Sequence, residues 1–162
     1  MNHQQLSEKC YITEDGVVRH KYARHSMPAG RPVSSVTKPT GHKVLFLSVD
    51  GKLKGISYAR ACWMLFSGLD IPIGMEIDHK DRNPGNNQRN NLRLATRSEQ
   101  GCNQKRQNAT GYTGVYRKPD GRFDVQVWKH GRAYFGGKFT SLEAAIARRA
   151  QLASSLHGEF AI

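Results

Sequence analysis

Cysteine is scarce in this 162-residue chain: Cys10, Cys62 and Cys102 are three isolated thiols, with no C-x-x-C pair. An odd count without paired spacing argues against a disulfide framework and against a cysteine-zinc staple. All three read as ordinary free cysteines. Long apolar runs are missing too, and no Lys/Arg-rich amphipathic helix stands out, which argues against a membrane partner. The start has no signal-peptide pattern, because His3, Gln4 and Gln5 stand where an apolar stretch should begin. A cytosolic protein is expected. Acidic residues are the last shortage. Asp and Glu number 13 against 25 Lys and Arg, a net charge of +12. An excess of that size calls for a polyanionic partner, and nucleic acid comes first.

The length suffices for one compact domain or two small ones. Residues 1–42 read as a basic N-terminal segment. Residues 10–13 and 17–20 form a weak hairpin around Glu14-Asp15-Gly16. Residues 26–40, rich in Pro, Gly, Ser and Thr, read as a loop or an extended crossing segment. Its basic residues suit either a solvated arm or one that tracks phosphates. Residues 43–49 (KVLFLSV) are a strand, Asp50-Gly51 is a hairpin turn, and residues 53–58 return. Residues 59–67 then form a mostly buried helix, closed by Gly68. Residues 75–77 are a short strand that delivers Asp78 and His79.

A polar loop follows, with Pro84, Gly85 and four Asn residues before position 91. Residues 92–95 make a second short strand. Thr96 or Ser98 can cap a helix running to about position 107. Residues 104–110 read as a linker. Three β-prone runs then cover 112–118, 122–128 and 132–139, with turns at Pro119-Asp120-Gly121 and Lys129-His130-Gly131. Thr140-Ser141-Leu142-Glu143 fits a capping box with Thr140 as N-cap. The helix behind it repeats Leu142, Ala145, Ile146, Ala150 and Ala153, and ends at His157-Gly158.

The chemistry concentrates at Asp78-His79. A histidine near neutral pKa can take a proton from water, and a hard divalent cation prefers oxygen donors such as a carboxylate and an amide. Asn91 stands twelve positions after His79, and Gln100 nine positions after Asn91. Together with Arg60-x-x-Trp63, Gly68, Ile77-Asp78-His79, Asn91-Leu92-Arg93 and Thr96-x-Ser98, residues 43–103 resemble the ββα-metal module of HNH endonucleases, of the type found in phage and intron-encoded homing enzymes. The resemblance implies His79 as general base and Asp78 as metal ligand. It implies Asn91 as the residue that pins the loop, and position 100 as second metal ligand. The family usually has Asn there; Gln100 offers the same amide oxygen on a stem one methylene longer. One cation per site is implied, Mg²⁺ or Mn²⁺. His20, His25, His42, His130 and His157 have no partners at ligand spacing and read as surface residues.

The last fifty residues carry Thr110-Gly111-Tyr112-x-Gly114-Val115-Tyr116, then Gly121-Arg122-Phe123, Gly137-Lys138-Phe139, Glu143-Ala144-Ala145 and His157-Gly158-Glu159. Residues 111–160 are thereby similar to an AP2/ERF domain, which lays a three-stranded sheet in the major groove. That similarity names Tyr116, Lys118, Arg122, Gln126 and Trp128 as DNA contacts, followed by Arg132 and Phe135. Fewer of these are Arg than in plant relatives.

The fold class expected is therefore α+β: a ββα-metal nuclease module, then a three-stranded antiparallel sheet packed on one helix. The function expected is a metal-dependent endonuclease acting on double-stranded DNA, without a membrane partner or a small-molecule substrate. One site per chain favours nicking by a monomer, and a double-strand break needs two cutting events. A non-catalytic DNA-binding protein built on a degenerate nuclease module is the alternative, and Gln100 is the residue that separates the two. An enzyme directed at RNA is the second rival.

Overall fold

The computed structural model describes residues 1–103 and 108–161. They fall into two compact units, Met1–Ala95 and Thr96–Ile162.

The first unit opens with a helix that the sequence did not announce. Helix α1 (His3–Ser7) starts at Asn2, whose side chain accepts from the Gln5 amide while Gln5 returns a bond to the Asn2 amide. Strands β1 (Cys10–Ile12) and β2 (Val18–His20) pair antiparallel across the Glu14-Asp15-Gly16 turn. The crossing segment supplies a short strand, β3 (Ser35–Thr37), on the edge of β4 (Lys43–Val49). Strand β4 also pairs with β5 (Lys52–Ser57). Asp50 and Gly51 both have positive φ, 54° and 73°, as a two-residue hairpin turn with the twist of its strands requires.

Alternation along β4 sends Leu45, Leu47 and Val49 inward and Phe46 outward. Helix α2 (Tyr58–Ser67) covers the inner face and stops at Gly68, in the left-handed conformation. The core therefore joins Leu6, Cys10, Val18 and Val33 to Leu45, Leu47, Cys62, Met64, Ile77 and Leu92. Inside it the Val18 amide donates to the Tyr58 hydroxyl at 2.9 Å, tying the hairpin to α2. Burial pushes the Cys10 thiol up to about 11 against the pull of Lys9 and Lys21, and it pushes Cys62 up as well. Both thiols stay protonated, as free core cysteines do. Strands β6 (Met75–His79) and β7 (Leu92–Thr96) pair as a separate two-stranded sheet.

In the second unit helix α3 (Arg97–Asn103) begins with a reciprocal cap. Thr96 Oγ1 accepts from the Glu99 amide, and the Glu99 carboxylate accepts from the Thr96 amide and hydroxyl. Positions 104–107, where the helix was expected to end and the linker to begin, lie outside the described residues. Asn108 and Thr110 are firmly placed: their side chains donate to the carbonyl of Val115 at 2.9 Å each. These bonds, with the turn at Tyr112, leave a first strand shorter than the expected 112–118 run: β8 is Val115–Arg117.

Strand β9 (Phe123–Lys129) is central, between β8 and β10 (Arg132–Phe139), all antiparallel. Register shifts at a bulge between Phe135 and Gly137. Gly136 sits in it, where an added Cβ would lie 2.5 Å from Val125 Cγ1, so only glycine fits between sheet and helix. Helix α4 (Leu142–His157) covers one face, packing Ala145, Leu142 and Ile146 on Val115, Val125, Phe123 and Phe139. Its N-cap is Ser141 rather than Thr140: the Ser141 hydroxyl oxygen accepts from the Ala144 amide at 3.1 Å. Glu143 answers through that hydroxyl, which donates to its carboxylate at 2.9 Å. The cap thus moves by one residue and the expected box does not form: Glu143 then stands at N2 and bonds the cap hydroxyl, not the cap amide.

Candidate functional site

Among the described residues the buried polar or charged side chains are Asp78, His79, Asn87, Asn91 and Arg93. All five lie between positions 78 and 93, so burial alone marks β6, β7 and the loop between them. Buried polar groups are costly unless satisfied, and each of these has partners.

Asp78 and His79 close β6, and both are 6% exposed. Asp78 Oδ2 accepts two charge-assisted bonds from Arg93 on β7, from Nε at 2.9 Å and Nη2 at 2.8 Å. His79 Nε2 lies 3.2 Å from Asn87 Oδ1. Burial is the largest influence on the imidazole and pushes its pKa below the ordinary value. The hydrogen bond to Asn87 acts the other way. His42 adds to the depression, and Asp81 and Asp78 oppose it.

Asn91 organises the loop. Its Nδ2 donates to Asp81 Oδ1 at 2.9 Å and to the Asn86 carbonyl at 2.8 Å, while its Oδ1 accepts from the Asp81 amide at 3.1 Å. Its backbone carbonyl accepts from Lys80 at 2.9 Å. Asp81 gathers the rest, accepting also from the Asn83 amide and from Asn86 Nδ2. Desolvation, the largest single influence on Asp81, raises its pKa. The bonds from Asn83, Asn86 and Asn91, together with His79, outweigh it and hold the carboxyl below its usual range. The loop is thus a closed polar lattice, whose carboxylate is ionised at neutral pH.

Two contacts reach this lattice from distant sequence. His42, in the turn before β4, puts its ring centroid 6.1 Å from that of His79. The surface reading of His42 holds for its exposure, yet it has a neighbour no spacing rule indicates. Gly16, at φ 81° in the β1–β2 turn, lies against the Asn87 carbonyl, and an added Cβ would stand 2.7 Å from that oxygen. Asn87, Asp81 and His42 were not singled out from the sequence. Asp81-x-Asn83 was the one local signal available, since Asp before a turn bonds the backbone two residues on.

Gln100 lies on α3 in the second unit and is half-buried. Among the described residues no three His, Cys, Asp or Glu side chains gather as a metal cage. The donor set expected here is a carboxylate and an amide, hard oxygen ligands that suit a cation keeping part of its water shell.

In the second unit the register sorts the other candidates. Val115, Val125 and Val127 face α4, so their alternates face away. Tyr116, Trp128 and Phe135 lie on that outer face at 41%, 55% and 60% exposure. Gln126 shares it as the partner of Phe135, and Lys138 as the partner of Asp124. Lys118 reaches it through an ion pair with Asp124 at 3.3 Å. Arg122 sits in the turn before β9, ion-paired to Asp120 at 3.7 Å. Arg132 pairs with Lys129, which has the parity of Val127, and its guanidinium stands 5.8 Å from the Tyr134 ring.

No curated protein matches this chain. Among solved structures it is similar to that of the HNH homing endonuclease I-HmuI, whose structure concerns DNA binding and cleavage. Identity is 26% over 54% of this chain and 47% of that one, with a TM-score of 0.42. This chain therefore spans about half the length of the structure it matches. Residues 60–102, which carry most of α2, the Asp78-His79 pair and the whole polar lattice, match the family model of the HNH endonucleases.

Proposed function

We propose that the chain is a DNA endonuclease of the HNH type. The observation that carries this reading is the set of five buried polar residues in 78–93, inside the segment that matches the nuclease family. Buried polar side chains beside an apolar core are costly to place, and perturbed titratable groups collect at functional sites.

His79 is the general base. Burial keeps its imidazole neutral at a pH where a free histidine is partly protonated, so it is ready to accept a proton. A proton passes from water to the imidazole, the water oxygen bonds to phosphorus, and the bond to the 3′ oxygen breaks. Solvent protonates the leaving oxygen, giving a 5′-phosphate and a 3′-hydroxyl. Asn91 keeps the loop closed around the base through Asp81 and Asn86. Asp78 and, by the family resemblance, Gln100 would hold a divalent cation, Mg²⁺ or Mn²⁺. Such a cation stabilises negative charge on the phosphoryl group and the leaving oxygen.

Residues 111–160 are the targeting module, AP2-like in design. The support is the outer sheet face, which exposes Tyr116, Trp128 and Phe135 beside Gln126, Lys118 and Lys138. Sheet readers use such faces in a groove: aromatic rings pack on sugars or thymine methyls, Gln can bind adenine, and Lys binds phosphate. The charge of +12 supplies the sequence-independent part of the affinity.

Conversion of supercoiled plasmid to open circles tests the reading. Nicking with Mg²⁺ or Mn²⁺ that EDTA stops, and that His79→Ala lowers by about 10²–10⁴-fold, is expected. If the native chain binds but does not cut, and Gln100→Asn cuts, the protein is a binding module on a disabled nuclease. If neither cuts, the assignment of the site or of the substrate fails.

A further inference from the structure

The amide of Asn87 is held in one orientation. Its side chain is 6% exposed, and its Nδ2 donates to the Gly85 carbonyl at 3.2 Å. That bond turns Oδ1 toward His79 Nε2, 3.2 Å away. Reversing the amide would set its oxygen against the Gly85 carbonyl, two acceptors facing each other. The backbone is no freer. Gly16 closes on the Asn87 carbonyl with no room for a Cβ, and the Gly16 carbonyl in turn accepts from Cys62 Sγ of α2 at 3.6 Å. Asn87 is thus braced by its own loop, by the N-terminal hairpin and, through that hairpin, by the core helix.

An amide oxygen can only accept, so the ring nitrogen facing it must carry the hydrogen. We propose that Asn87 fixes the tautomer of His79, keeping the proton of the neutral imidazole on Nε2 and leaving Nδ1 as the nitrogen that takes the proton from the attacking water. The catalytic part of this rests on the nuclease reading; the tautomer does not. In the step itself the water O–H bond breaks and the proton bonds to Nδ1. The charged ring then donates from both nitrogens, with Nε2 still on Asn87, and solvent later removes the Nδ1 proton. Asn87 is a positioning residue: it acts through His79.

The test is long-range ¹H–¹⁵N NMR of the His79 ring in metal-free protein at alkaline pH, where the imidazole is neutral. Loss of the signals in His79→Gln assigns them. The native protein should show the Nε2–H tautomer alone. Asn87→Leu should relax to the mixture of free imidazole, with nicking slowed about tenfold or more at unchanged DNA affinity. A native ring protonated on Nδ1, a native mixture, or a tautomer unmoved by Asn87→Leu would each overturn the inference. The native spectrum needs no variant to fold. His79-dependent nicking with an Nδ1–H ring would keep the nuclease reading and remove this one. An Nε2–H ring in a protein that never cuts would do the reverse.

Discussion

The two units treat polarity in opposite ways. In residues 1–95 polar side chains are inside: Asp78, His79, Asn87, Asn91 and Arg93 are buried beside an extensive apolar core. In residues 96–161 the core is small, built on Val115, Val125 and Ala145, and large aromatic side chains are left outside. Burying a polar group demands a complete set of partners, and those partners fix its geometry to within the reach of a hydrogen bond. Exposing a ring demands nothing of the fold but leaves a surface that favours contact. The first arrangement suits chemistry, which needs fixed atoms. The second suits recognition, which needs area and adaptable contacts.

That contrast is open to attack, most forcefully at Arg93. Arg93→Met leaves the Asp78 carboxylate buried without its guanidinium. The first unit should lose about 3–5 kcal/mol, read by denaturant unfolding. Trp63 lies in one unit and Trp128 in the other, so single-tryptophan versions made with Trp128→Phe or Trp63→Phe report each separately. An effect below about 1 kcal/mol would mean that water reaches Asp78 and that the lattice is not closed.

Gly16→Ala comes next. The left-handed φ and the missing space at the Asn87 carbonyl both oppose it, for a loss of about 1–3 kcal/mol. Nicking should fall with it although Gly16 carries no chemistry. Unchanged activity would show that the hairpin does not brace the loop between β6 and β7.

Trp128→Ala should invert the pattern. The ring is more than half exposed, so stability should move by no more than about 0.5 kcal/mol. Affinity for duplex DNA should fall by about 1 kcal/mol, roughly fivefold, in a filter or anisotropy assay at fixed salt. A large stability loss with unchanged affinity would make Trp128 a packing residue.

Acid separates the units by the smallest margin. Burial is the main reason that His20 and His79 in the first unit, and His157 in the second, are held below the usual histidine value. For His20 the charges of Arg31 and Arg24 add to it. His157 feels Lys129, Arg149 and His130, partly offset by a backbone bond at Trp128. A histidine depressed in the folded state is protonated first in the unfolded chain. Its stabilisation is complete above about pH 6.5, falls as pH drops below that, and levels off under the folded pKa. With two such groups against one, the melting temperature of the first unit should fall further between about pH 7.5 and about pH 5.5. Equal losses would mean that these histidines do not set the acid sensitivity of either unit.

Several elements were legible because their causes are local. Asp50-Gly51 gave a two-residue turn, since both positions take positive φ at low cost. Gly68 ended α2 for the same reason. The spacing from Asp78-His79 to Asn91 marked the loop, because all three residues lie on one short stretch. The Ser141 cap was misplaced by one residue, since Thr140 and Ser141 offer equivalent hydroxyls and only the backbone path selects between them. Helix α1 escaped notice because five residues carry too little periodicity. Asn87 and His42 escaped for a different reason. One is among several loop asparagines, and the other is a lone histidine more than thirty positions from the site.

By itself, then, the sequence determined the charge, the turns, the order of strands and helices from β4 onward and the identity of the Asp78-His79 pair, all set by composition or by neighbours within a few residues. Only the tertiary structure decided which side chains complete that pair. Arg93 on the facing strand, Gly16 on a distant hairpin and His42 before β4 reach the site through strand pairing and core packing, and burial then forces each polar atom there to find a partner. Which sheet residues face outward in the second unit was settled in the same way, by the register of β9 against its neighbours and by the helix that covers one side.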